Sequence, residues 1–134
     1  MDQILLPLVT HPHAIIFMKV VLTSFFWLAG LFGVFNFGVI KQEMIDAKLP
    51  QPAFFASATI LCQLGGALLL ITDFQDLAWL GAGALAVFTL LCIPIGHPFW
   101  KYEGEKGMHE FQIALEHVAM VGGLMIAVAI SMLY

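Results

Sequence analysis

Residues 53–72 read AFFASATILCQLGGALLLIT, a run of twenty residues without an acidic or basic side chain. An α-helix rises about 1.5 Å per residue, so about twenty apolar residues cross the roughly 30 Å of hydrocarbon in a bilayer. A helix also satisfies its backbone hydrogen bonds internally, which lipid requires because it offers no water. This stretch therefore predicts a membrane-spanning helix.

Three further apolar runs without lysine lie at about 20–40, 77–96 and 112–133. Apolar residues make up 61% of the 134 residues and charged residues only 10%, whereas soluble domains carry about 25% charged residues. The four runs predict an all-α fold in which a single domain, residues 1–134, forms an integral membrane antiparallel four-helix bundle. The lipid bilayer is then the surroundings of most of its surface.

Glycines recur in the middle of these runs, where small residues let helices approach each other closely in lipid. They are Gly30, Gly33, Gly65, Gly66, Gly81, Gly83, Gly122 and Gly123. A bundle that is tight at these levels leaves no room for a wide pore, which disfavours a channel or transporter.

Charged residues are concentrated in the connections between the runs. Segments 41–52 and 97–111 hold four of the five lysines, and in a four-span protein they lie on one side. The positive-inside rule places that side in the cytoplasm and both termini outside. Residues 1–19, interrupted at His11-Pro12-His13, fit a segment along the membrane interface. Asp76 is expected to cap the third helix.

The basic residues also limit the choice of partner. All five are lysines and the formal net charge is −4, so the arginine forks and basic patch of a nucleic-acid-binding protein are absent. We therefore exclude nucleic acid as a partner.

Ionisable side chains inside an apolar run are candidates for function, because a charge in lipid is costly. Glu116 and His117 in the fourth run are such residues, and we interpret them as candidate catalytic groups for proton transfer. Helical spacing puts His109, Gln112 and Glu116 on one face, which we expect to point into the bundle.

Further polar residues approach the same membrane side, and with Glu116 and His117 they predict one polar pocket. The candidate cofactor-binding residues are Asn36, Gln63, His97, His109 and Trp100. Three interpretations stay open. The polar groups pair with each other and set the register of the helices; or the pocket binds a quinone or similar small molecule; or His97, His109 and His117 hold a metal ion, although no tightly spaced ligand motif supports a metal.

The sequence resembles the DoxX family of small four-helix membrane proteins in four stretches. They are FWLAGLFGVFN at 26–36, LCQLGGALLLITDF at 61–74, HPFW at 97–100 and FQIALEHVAMVGGL at 111–124. By matching position, the resemblance implies Gln63, His97, Glu116 and His117 as site candidates.

Three positions depart from the family pattern. Gly33 stands where members often have lysine, Gln63 where they often have glutamate, and His117 where asparagine is usual. The first two changes remove an ion pair between the first two helices, so an activity that depends on that pair is not expected here.

Some members of this family look like the small membrane subunit of thiosulfate:quinone oxidoreductase, whereas others are associated with redox and thiol-stress complexes or have no assigned activity. The resemblance implies a membrane subunit or partner of a redox system in a bacterial inner membrane, working through quinone. The chain has no motif for flavin, iron–sulfur or covalent haem, so it needs a partner protein to act as an oxidoreductase. The alternatives are a non-catalytic membrane anchor or assembly factor, and a transporter that works as a homo-oligomer.

Overall fold

The fold is described from a computed structural model that covers all 134 residues. The chain is entirely helical, without a β-strand. Its helices are α1 (Asp2–Val9), α2 (Pro12–Leu22), α3 (Ser24–Phe35), α4 (Phe37–Asp46), α5 (Pro52–Thr72), α6 (Ala78–Gly96) and α7 (Gly104–Leu133). Single 3-10 turns at Phe74–Asp76 and Phe99–Lys101 join the last three. The all-α prediction is confirmed.

Three helices are long and apolar enough to cross a membrane: α5, α6 together with the turn that follows it, and α7. Two bent pairs also have the required length and composition. The axes of α1 and α2 differ by 65°, and those of α3 and α4 differ by 105°. The number of candidate spans is therefore three, or up to five if each bent pair is one span.

The predicted helix over residues 20–40 is wrong as a single element, because the chain breaks twice within it. At Asn36 the backbone leaves helical geometry (φ −134°, ψ 48°), and the side-chain amide donates to the Phe32 carbonyl oxygen. At Thr23 the hydroxyl donates to the Lys19 carbonyl oxygen at 2.7 Å. Asparagine and threonine side chains compete for backbone hydrogen bonds in this way, which favours helix ends and bends.

The two predicted connections are shorter in the structure. Helix α4 continues to Asp46, which shortens the segment 41–52 at its start. Helix α7 begins at Gly104, which shortens the segment 97–111 at its end. At residues 1–19, α1 has no buried residue, whereas α2 buries Ile15 and Lys19. The second half of this segment therefore packs against the other helices through these two residues, and its placement at the membrane interface stays a prediction.

The turn between α5 and α6 is capped by a different aspartate from the predicted one. Asp73 accepts a hydrogen bond from the Ala78 backbone N–H at 2.9 Å, while Asp76 has a left-handed backbone (φ 59°) and caps nothing. This turn sends α6 back along α5, and the Cys62 thiol of α5 lies 3.6 Å from the Ala84 carbonyl oxygen of α6.

The core joins four of the helices. Its buried side chains are Phe26 of α3, Leu70 of α5, Ala78, Ala82 and Leu85 of α6, and Leu124 and Ala127 of α7. A smaller cluster joins α4 to α5 through Ile40, Ala56 and Ile60. Many large apolar side chains point outward instead, such as Leu61 and Leu68 of α5, which are 71% and 62% exposed. A surface of this kind is suited to lipid contact.

Five of the eight predicted glycines are in close contact with another part of the fold. A Cβ atom added to Gly81 would lie 2.5 Å from the Gly66 carbonyl oxygen, and one added to Gly30 or Gly33 would lie 2.7 Å from Leu64 or 2.8 Å from Ile60. A Cβ on Gly65, Gly83 or Gly122 meets nothing within 4 Å. The prediction of close helix contact is thus confirmed for Gly30, Gly33, Gly66, Gly81 and Gly123 and is wrong for the other three.

We predict that Gly81→Ala destabilises the protein by about 1–3 kcal/mol, the range for an overpacked core, because the added methyl group collides with the backbone of α5. Gly83→Ala is the matched control on the same helix, where the methyl group meets open space. Thermal unfolding of the two variants in the same detergent measures the difference. Equal melting temperatures would contradict the close α5–α6 contact.

Candidate functional site

The end of α6 places His97 beside α7. Pro98 lacks a backbone N–H and disfavours the helical conformation of the residue before it, so the helix ends at Gly96 and His97 leaves helical geometry (φ −133°, ψ 55°). The N–H of His97 still donates to the Cys92 and Ile93 carbonyl oxygens, which holds its backbone against the helix.

The connection after His97 folds onto the start of α7. The rings of Phe99 and Phe111 pack edge to face with centroids 5.0 Å apart. Gly107 permits the close approach, since a Cβ atom there would lie 2.6 Å from the Tyr102 carbonyl oxygen. The first turns of α7 are thereby fixed next to the end of α6.

A short hydrogen bond connects the two helices at this point. His97 Nδ1 lies 2.6 Å from Glu110 Oε2, and this is the only salt-bridge contact in the structure. The two side chains are 30% and 16% exposed. A hydrogen bond between an imidazole and a carboxyl group at this length is charge-assisted, and partial burial strengthens it. The pair therefore connects the end of α6 to the N-terminal part of α7.

His117 is the third member of this group. Its ring lies edge to face with that of His97, with centroids 5.3 Å apart, and its Nδ1 lies 2.7 Å from the Ile113 carbonyl oxygen. A carbonyl oxygen can only accept, so Nδ1 carries the proton of this bond and Nε2 of the neutral ring is a free acceptor. Phe25 of α3 packs against His117, with centroids 6.4 Å apart.

The other predicted site residues lie elsewhere. Glu116 and His109 are exposed, and Asn36 is exposed at the bend between α3 and α4. Gln63 is buried, 8% exposed, where α5 faces Gly30 of α3. Trp100 is exposed and packs edge to face on Phe99. Of the predicted set, the structure brings together only His97 and His117.

The prediction that the Glu116 face of α7 points into the bundle is wrong. The inward residues are Ala114, Leu124 and Ala127, and Glu110 and His117 lie on the same side. Sequence reasoning missed Glu110. A signal for it exists, because Glu110, Ala114 and His117 follow the spacing of one helical face, with a small residue at the centre where another helix approaches.

The predicted histidines do not form a cluster of metal ligands. No group of three or more His, Cys, Asp or Glu side chains is arranged to hold a metal ion. His109 lies apart from His97 and His117, in an open hollow of about 740 Å³ that Phe99 and Tyr102 also line.

Comparison with known proteins identifies one relationship. A family model described as DoxX matches residues 14–98, from α2 to the end of α6. No curated protein and no solved structure matches the chain. The match includes His97, whereas Glu110 and His117 lie beyond it.

We predict that Glu110→Ala lowers the unfolding free energy by about 1–2 kcal/mol, because His97 loses a charge-assisted partner in a partly screened position. Glu116→Ala removes the same chemical group from an exposed position on the same helix and is expected to leave stability unchanged. Thermal unfolding in detergent compares the two. A larger loss in the Glu116 variant would contradict the orientation of α7.

Proposed function

Since the chain belongs to the DoxX family of membrane proteins, we propose that it is the small membrane subunit of a quinone-linked redox system. The observation that supports this role is the hydrogen bond between His97 and Glu110, with the ring of His117 beside it. Two imidazoles and a carboxyl group meet where α6 ends. These are side chains that can act as general acids and bases, and proton transfer is what the reduction of a quinone requires.

Conversion of a quinone to a quinol takes up two protons and two electrons. In this proposal, His97 delivers one proton from its free nitrogen and recovers it through the Glu110 carboxyl group. His117 supplies the second from Nε2 when its ring is protonated, and its Nδ1–H bond to the Ile113 carbonyl oxygen keeps the ring oriented. The electrons come from a partner protein that carries a redox cofactor.

A route from the lipid to these groups supports the proposal. Phe25 is 54% exposed on the outer surface of α3, and its ring packs against His117. An apolar ring dissolved in the bilayer can stack on Phe25 while its oxygens reach the histidines. The flat aromatic surface and the nearby proton donors are the two features that a quinone headgroup needs.

The proposal includes a topology of four spans in a bacterial inner membrane. Helices α2 and α3 form the first span, followed by α5, α6 and α7, in an antiparallel four-helix bundle. Helix α4 then lies across the N-terminal half of α5, which it contacts through Ile40. By the positive-inside rule, the exposed lysines of α4, its following turn and the α6–α7 connection support a position of His97 and Glu110 near the cytoplasmic side.

The experiment that tests this function compares wild type with Glu110→Gln and Glu116→Gln, each purified in mild detergent together with the partner protein that supplies the electrons. Wild type and the Glu116 variant are expected to retain quinone, whereas Glu110→Gln keeps the shape of the side chain but cannot relay a proton. We expect about a 100-fold slower quinone-dependent activity in the Glu110 variant, as for a lost general acid or base. Equal activity of both folded variants would reject the proposal.

A second function, a non-catalytic anchor for a partner protein, is favoured by a different observation. The open hollow that Tyr102 and His109 line lies at the start of α7, and the Lys106 ammonium lies 4.2 Å from the centre of the Tyr102 ring. Aromatic residues such as Tyr102 are enriched at protein interfaces.

The anchor is distinguished from the quinone subunit by its sensitive residues. For an anchor, Tyr102→Ala abolishes recovery of the partner, while Glu110→Gln changes neither recovery nor activity. For a quinone subunit, Glu110→Gln abolishes activity and leaves the partner bound. Co-purification and quinone reduction, measured on the same two variants, separate these outcomes.

A further inference from the structure

Lys19 is the one lysine that lies inside the fold. Lys19, in α2, is only 6% exposed. The other four lysines, Lys41, Lys48, Lys101 and Lys106, are all exposed. No carboxylate lies within salt-bridge distance of the Lys19 ammonium group, because the His97–Glu110 contact is the only one of that kind. A largely buried lysine without a close counter-ion is costly. This cost indicates that an anion from outside the chain pairs with Lys19.

The Lys19 side chain lines a cavity of about 180 Å³ between α2 and α7. The rest of the lining is apolar and includes Ile15, Leu22 and Ile130. Gly123 lies at the wall, where a Cβ atom would meet Leu22 Cδ1 at 2.9 Å. An apolar cavity of roughly 150 Å³ accommodates benzene, so this one has room for a segment of an acyl chain.

The ammonium of Lys19 is not fully enclosed by the fold. Every fully enclosed side-chain nitrogen and oxygen in the protein has a hydrogen-bond partner, and the Lys19 ammonium has none. Its nitrogen therefore keeps some accessible surface that a bound anion can contact, as a long basic side chain does when it extends along apolar surface.

The carboxylate that compensates part of the Lys19 charge also forms a hydrogen bond to another part of the chain. Asp73 is the carboxylate whose charge acts on Lys19, but its Oδ1 accepts the Ala78 N–H at the start of α6. Its negative charge is thus held by the helix N-terminus, which leaves the ammonium open to a second anion.

The position of the cavity identifies the kind of anion. It lies beside Ile130, close to the end of α7, and on the side of the α5–α6 turn that contains Asp73, at the end of the fold opposite His97. In a membrane protein this is the depth at which headgroup phosphates meet acyl chains.

We propose that the cavity between α2 and α7 binds one anionic phospholipid, whose phosphate pairs with the Lys19 ammonium and whose acyl chain fills the apolar space. The lipid supplies the counter-charge that the chain itself does not place next to Lys19. The site is separate from the His97–Glu110 pair and does not depend on the function of that pair.

The test is native mass spectrometry of the full chain in mild detergent, with phosphatidylglycerol and phosphatidylcholine added in equal amounts. We expect about a tenfold preference for the anionic lipid, equivalent to about 1.4 kcal/mol. Lys19→Met keeps the length and packing of the side chain without its charge, and is expected to lose the preference. Lys101→Met removes an exposed charge and is the matched control, with the preference retained.

Asp73→Asn provides a second variant that keeps the hydrogen bond to Ala78 and removes only the competing charge. It is expected to bind phosphatidylglycerol several-fold more tightly, since the lipid phosphate then becomes the sole counter-ion. Unchanged lipid preference in a folded Lys19→Met protein would overturn the proposal, as would weaker binding in Asp73→Asn. Displacement of phosphatidylglycerol by equimolar oleate would assign the site to a free fatty acid and reject a phospholipid.

Discussion

The backbones of α5 and α6 meet where Gly66 faces Gly81, with no room for even a methyl group between them. Lipid surrounds these helices, so apolar burial contributes little to their association and close van der Waals contact contributes most. Leu85 packs against Gly66 in the same layer, and it belongs to the core cluster that includes Phe26 of α3 and Leu124 of α7. The other helices are therefore positioned by a pair of glycines.

From this contact the two polar regions take their places at opposite ends. His97 lies at the C-terminal end of α6, next to Glu110 and His117 of α7. Asp73 lies in the turn before α6, where its charge acts on Lys19. The layers between contain glycine, alanine and leucine. A bilayer tolerates charge near its surfaces far better than at its centre. The ionisable side chains inside the fold accordingly lie near its two ends, and the residues between them are mostly apolar.

Polar side chains inside the helices are handled locally. Thr23, Ser57, Thr72 and Thr89 all donate to the carbonyl oxygen four residues earlier. This satisfies each hydroxyl without a partner helix and requires no water. The same local bonding accompanies the two breaks in residues 20–40, where a hydropathy pattern shows one uninterrupted apolar run. Hydropathy measures whether residues suit lipid, and it contains no information on where the chain changes direction.

The sequence by itself determined the helical class, the three long helices α5, α6 and α7, and the importance of the glycines, because these depend on local composition and length. Only the tertiary structure decided which of the glycines are packed and which carboxylate of α7 meets His97. Successive helical residues are rotated by about 100°, so Glu110 shares a face with His117 and Glu116 does not. That rotation about the helix axis is set by the neighbouring helices, whose arrangement no single apolar run encodes.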